Sequence, residues 1–137
     1  MTKLSAEIQR EIDELSDKSN DTYDNGDYIK TIELLEQAWN KLPNPKFMYD
    51  DSYHIARSIA LISLKLDKFE QAKEWAEITK LCDPERQDIG EKEFLLGQVA
   101  YESGQLTEAK KYLKIADFKS GGRCFRGQNK KYQQVLR

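Results

Sequence analysis

Tyr23-Asp24-Asn25-Gly26-Asp27-Tyr28, followed by Thr31 and Ala38, is a passage this chain writes three times. It returns as Leu66-Asp67-Lys68-Phe69 before Ala72, and as Tyr101-Glu102-Ser103-Gly104-Gln105-Leu106 before Ala109 and Ala116. Each copy closes an apolar periodic run, inserts a turn, and restarts on an aromatic residue or Leu with a small residue three positions on. A motif recurring every few dozen residues marks helical hairpins stacked in series, each burying its apolar face on the next. Function is then sought in surface recognition rather than in a reaction.

Working outward from these turns, the apolar spacing predicts six helices and a short seventh. The first runs from about Ser5, a good N-cap, to Asp24 through Ile8, Ile12, Leu15 and Tyr23, and Asn25-Gly26 stops it. The second spans about 28–42 with Ile32, Leu35, Ala38, Trp39 and Leu42 inward, and Pro43-Asn44-Pro45 ends it. The third, near 50–66, turns Tyr53, Ala56, Ile59, Ala60 and Leu64 inward. The fourth, 69–82, uses Phe69, Ala72, Trp75, Ala76 and Ile78 and stops at Asp83-Pro84.

The fifth, about 89–103, carries Phe94, Leu96, Val99 and Ala100. Gly97 lies in its middle, and a mid-helix glycine costs roughly 1 kcal/mol relative to Ala, so another helix is expected to cross there closely. The sixth, 106–118, presents Ala109, Leu113 and Ala116, and Ser120-Gly121-Gly122 breaks it. A last short helix over 129–136 is read through Tyr132, Val135 and Leu136. No alternation of strands with helices and no long heptad run occurs. The expectation is one all-α domain over residues 1–137.

The totals agree. A chain of 137 residues with 39% hydrophobic and 34% charged residues fits one domain of amphipathic helices. Residues 1–20 hold five acidic side chains and no apolar run, so they read as neither signal peptide nor anchor, and a cytoplasmic protein is expected. Cys82 and Cys124 lack metal or redox spacing and read as two reduced thiols. The net charge of −2 is unevenly spread. Residues 119–137 hold six basic and no acidic side chains, leaving 16 basic and 24 acidic in the rest.

Aligned on Ala72 and Ala109, the hairpins resemble tetratricopeptide repeats, a helix–turn–helix unit of about 34 residues. Gly26, Tyr28, Leu35, Ala38 and Pro43 fall on the family's positions in the first repeat. Ala60, Phe69, Ala72 and Pro84 do so in the second, and Leu96, Gly97, Gly104, Leu106, Ala109 and Ala116 in the third. The resemblance implies an α-solenoid of three repeats, about 12–45, 53–86 and 90–121, with a cap over 122–137. Repeat starts are 41 and 37 residues apart, the extra residues following Pro43 and Pro84, while Thr31 and Thr79 stand where Ala is usual.

The tail, Ser120 to Gly127 with Lys131-Tyr132 and Leu136, is similar to the ending of small bacterial tetratricopeptide proteins. Several of those resemble immunity partners of polymorphic toxins. The stretch after Phe125-Arg126-Gly127 is usually acidic in that group, but here it is Gln128-Asn129-Lys130.

The family register places one face of each first helix on a concave surface. Asp13, Ser16, Asn20, Tyr23 and Asp24 fall there from the first repeat, and His54, Arg57, Leu61, Leu64 and Lys65 from the second. Glu91, Phe94, Leu95, Gln98, Tyr101 and Glu102 fall there from the third. Tyr23, Phe94 and Tyr101 suit interface anchors, with packing between repeats the alternative for Tyr23 and Tyr101. Some family members grip a chaperone's terminal carboxylate with Lys and Asn. Of those positions only Asn20 matches, against Ser16, Ser58, Glu91 and Leu95, so that role is not implied. The acidic first repeat with Glu91 and Glu102 implies a protein or peptide partner bearing a basic patch, such as a toxin.

Other chemistry finds little purchase. His54 is the single histidine, and Ser52 and Ser58 form no nucleophile elbow with it. Asp13, Asp17, Asp21, Asp24 and Asp27 lack the calcium-loop spacing, and Gly121-Gly122 lacks the Lys-Ser/Thr of a phosphate loop. No cofactor, metal site or catalytic set can be named. Competing readings are an adaptor or chaperone with several partners, and nucleic-acid binding through the basic tail with Phe125 and Tyr132 interleaved.

Overall fold

The computed structural model describes residues 3–83 and 89–137. Among the described residues there are seven α-helices and no strand: α1 Ala6–Asp24, α2 Tyr28–Lys41, α3 Asp50–Lys65, α4 Phe69–Thr79, α5 Glu91–Glu102, α6 Leu106–Ser120 and α7 Lys131–Gln134. Short 3-10 turns at Lys46–Met48 and Arg123–Phe125 sit in the connections. The protein is all-α.

The three hairpin turns repeat one backbone geometry. Gly26, Asp67 and Gly104 all take left-handed φ, at 79°, 56° and 81°. Their N–H groups donate to the carbonyls of Tyr23, Leu64 and Tyr101, at 3.0, 3.1 and 3.1 Å. One residue on, the N–H groups of Asp27, Lys68 and Gln105 each reach back to Thr22, Ser63 and Ala100 at 2.9 Å. This pair of hydrogen bonds is the Schellman closure, which satisfies carbonyls a helix end would otherwise leave orphaned. Thr31, Ala72 and Ala109 then open the next helix by donating to the carbonyls of Asp27, Lys68 and Gln105.

Adjacent helices pack as pairs, α1 on α2, α3 on α4 and α5 on α6, and α2–α3 and α4–α5 contacts join one pair to the next. The core follows that order. Ile12, Ile32, Leu35 and Ala38 cluster with Ile55, Ile59 and Ile62, joining the first two pairs. Ala60, Ala72 and Ala76 cluster with Leu95, Leu96 and Val99, joining the second to the third. Phe94, Ala109, Leu113 and Ala116 cluster with Phe125 and Tyr132, binding the tail to the third pair.

Gly97 has the neighbour its position implied. A Cβ there would lie 2.6 Å from Leu113 Cγ and 3.2 Å from the Leu113 backbone nitrogen, so α6 crosses at glycine distance.

Several element ends differ from expectation. α5 begins at Glu91 rather than 89, because buried Gly90 takes φ 83° and a Cβ there would lie 2.9 Å from the Ala116 carbonyl oxygen. α4 ends at Thr79 rather than 82, and the Cys82 N–H closes a tighter turn onto the Thr79 carbonyl at 3.2 Å. α6 continues to Ser120 until Gly121, with φ 62°, caps it. α7 shortens to Lys131–Gln134. Pro84 and the second repeat's boundary at 86 lie outside the described residues.

Candidate functional site

α1, α3 and α5 present side chains to two adjoining cavities that share His54 and Gln98. The first, about 640 Å³, takes Ser16, Asn20 and Tyr23 from α1, and His54, Ser58, Leu61 and Lys65 from α3. Gln98 and Glu102 of α5 and Tyr132 of α7 complete its far wall. Leu35, Ile55 and Ile62 reach its floor from the core beneath. The second, about 610 Å³, lies between Tyr53, His54 and Arg57 of α3, Glu91, Phe94, Leu95 and Gln98 of α5, and the tail residues Ser120, Arg123, Cys124 and Gln128.

Of the sixteen residues expected on the concave face, thirteen line these cavities. Ser16, Asn20, Tyr23, Leu61, Leu64, Lys65 and Glu102 meet in the first, Arg57, Glu91, Phe94 and Leu95 in the second, and His54 and Gln98 in both. Asp13, Asp24 and Tyr101 line neither. Asp13 is exposed and accepts from Gln9 Nε2 at 3.0 Å, a group that also reaches Asp51 Oδ2 at 2.9 Å. Asp24 is the exposed last residue of α1. Tyr101 stacks edge-on against Tyr132, centroids 5.4 Å apart, with Lys131 Nζ 5.4 Å from its ring.

The aromatic anchors divide. Tyr23 is exposed, lines the first cavity and is tilted against Tyr28 at 5.2 Å. Phe94 is only 8% exposed, held edge-on by Phe125 at 5.9 Å and Tyr132 at 5.8 Å. Phe94 is therefore a core residue whose margin reaches the cavity, because the tail folds over it.

Charge is similarly committed. Lys65 Nζ sits 5.7 and 5.8 Å from the Tyr23 and Tyr28 rings, a cation–π geometry. His54 Nε2 is 3.5 Å from Asp50 Oδ2. Glu102 accepts from Tyr132 Oη at 2.8 Å and Lys131 Nζ at 2.6 Å. Burial alone would raise the Glu102 pKa, but the hydrogen bonds from Lys131 and Tyr132 outweigh it and hold the carboxyl below its usual range. Burial, then the bond to Glu102, pushes the Tyr132 phenol up to about 12. Glu102 thus secures the tail rather than offering free negative charge.

The tail residues Ser120, Arg123, Cys124, Gln128 and Tyr132 join the cavities although the repeat register does not place them there. Their segment is basic and aromatic, a signal that reads as a cap or as a nucleic-acid contact rather than as part of this face. Phe125 and Tyr132 are 9% and 6% exposed, so neither ring is available to stack on a base. Ser52 donates to the Lys46 carbonyl rather than to His54. Cys82 and Cys124 are free thiols, and burial pushes Cys82 up to about 12. Among the described residues no cluster of His, Cys, Asp and Glu is arranged for a metal, and no helix is long and apolar enough to cross a membrane. No protein-family model matches the chain, and no curated protein matches it significantly.

Proposed function

We propose that this chain is a non-enzymatic interaction module, a solenoid of three tetratricopeptide-like hairpins that holds one protein or peptide along its α1–α3–α5 groove. The observation that carries this reading is the pair of adjoining cavities, each several hundred Å³, walled by successive first helices. The repeated turn geometry supports serial stacking. Exposed Asp13, Asp17, Asp21 and Asp24 on α1 favour a partner with a basic patch. The tail's resemblance extends the reading to an immunity protein that occupies a cognate toxin, acting in the cytoplasm.

The test is site-specific photo-crosslinking in cells co-expressing the products of the flanking genes. A crosslinker replacing Leu61, in the groove, is expected to capture one of those products. The same crosslinker replacing exposed Glu74 of α4, which lines neither cavity, is expected to capture none. Equal capture from both positions, or none from Leu61, removes the reading.

A further inference from the structure

Arg57 of α3 and Arg123 of the tail are far apart in sequence, yet both line the second cavity. Both are exposed, and among the described residues neither guanidinium makes an ion pair. Three cations on the neighbouring elements are already engaged. Lys65 covers two tyrosines, Lys119 pairs with Glu93 at 3.3 Å, and Lys131 pairs with Glu102. Arg123 Nε donates to the Ser120 carbonyl at 2.8 Å, which fixes its fork while leaving the two terminal nitrogens for a ligand. Glu91 is the single carboxylate in the lining, and it is already engaged with another residue. Gln98 and Gln128 add neutral donors.

A planar guanidinium pairs best with a carboxylate or phosphate that accepts two parallel hydrogen bonds. Two such forks on one cavity, backed by the apolar Phe94 and Leu95, make a place for an anion on an otherwise apolar stem. We infer that the cavity between Arg57 and Arg123 is an anion subsite that takes a carboxylate from an acidic segment of a protein partner. This rests on the groove being the binding face. It also gives the groove a polarity, with acidic α1 facing basic residues of the partner and the tail end facing acidic ones.

The test uses the full 15N-labelled chain and three probes: end-blocked pentaglutamate, end-blocked pentaglutamine and inorganic phosphate. Pentaglutamate is expected to shift the Arg57 and Arg123 Nε–Hε signals saturably at low ionic strength, with pentaglutamine inert and phosphate at least tenfold weaker. R57Q is expected to weaken pentaglutamate binding at least fivefold, and so is R123Q. R57Q changes an exposed helix position and leaves the tail untouched, so it reads the subsite even if R123Q loosens the tail. K111Q/K114Q, which removes two exposed charges from α6 outside the cavity, is expected to leave binding within twofold.

Absence of saturation, arginine variants that bind as the parent does, an equal loss in the lysine variant, or tighter binding of phosphate would each overturn the proposal. Pentaglutamate binding without capture from Leu61 would remove the groove's protein partner while leaving an anion site. Capture from Leu61 without pentaglutamate binding would remove the subsite alone.

Discussion

Where α1 meets α2, hydroxyl groups close the crossing; where α5 meets α6, a missing side chain does. In the first pair Thr22 and Thr31 share a hydrogen bond at 2.7 Å, and Thr31 Oγ1 also donates to the Asp27 carbonyl at 2.9 Å. In the third pair, at the same turn geometry, Ala109 stands in place of Thr31 and Gly97 admits Leu113. Counting back by the repeat spacings, Gly97 corresponds to Ala60 and Ser19, all buried and all small. The turn is therefore constant, and the packing chemistry beneath it is free to vary so long as volume stays low. The third pair differs again in carrying a cover: the tail seats Phe125 and Tyr132 on Phe94.

The sharpest way to break this comparison is to uncover the third pair. Tyr132 is 6% exposed and packs against both Phe94 and Tyr101. Tyr132→Ala should cost about 3–5 kcal/mol in urea unfolding, as truncation of a buried aromatic does. Tyr132→Phe should cost only about 1 kcal/mol, the worth of its bond to Glu102. Equal losses would mean that the hydroxyl, not the ring, holds the tail.

Next comes Gly97→Val, which sets helix propensity against space. Relieving glycine returns part of a kcal/mol, since Val is a poorer helix former than Ala, but the new Cβ would collide with Leu113, itself fully buried. Overpacking of this kind costs about 1–3 kcal/mol. Net destabilisation is expected, and an unchanged unfolding midpoint would show that α6 can retreat.

The turns and the close crossing were legible because they depend on local backbone demands: positive φ wants Gly or Asp, and a mid-helix glycine implies a neighbour. What stayed hidden depends on the meeting of distant segments. Lys92 falls on the same stripe as Leu95, Leu96 and Val99, and is 1% exposed. Its ammonium caps the carbonyls of Cys82 and Asp83, the latter at 3.2 Å, which no spacing rule in α5 foretells. Phe94 reads as a groove residue until the tail is folded onto it. Arg123 reads as part of a charge run until α3 brings Arg57 to the same cavity.

The link between Glu102 and the tail gives a smaller, pH-dependent effect. A carboxylate whose folded pKa is depressed adds stability above the ordinary Glu value of about 4.3, and loses it as pH falls through the folded value. Stability should therefore drop below about pH 4 more steeply in the parent than in Glu102→Gln. At neutral pH that variant should cost about 1 kcal/mol, because the site is partly open to water. Parallel pH profiles would show that Lys131 and Tyr132 do not depend on its charge.

The smallest effect separates the middle turn from its neighbours. Gly104 takes φ 81° with open space where a Cβ would project, so Gly104→Ala meets backbone strain alone and should cost about 1 kcal/mol. Asp67 occupies the equivalent place at φ 56° and already bears such strain, softened because Asp tolerates this region better than most residues. Asp67→Gly removes the strain but gives the unfolded chain more freedom, a cost of about 0.4–1 kcal/mol. The two nearly cancel, leaving a gain of a few tenths of a kcal/mol at most. A loss above about 0.5 kcal/mol in thermal unfolding would mean the carboxylate of Asp67, which lines the first cavity, holds something the glycine turns do without.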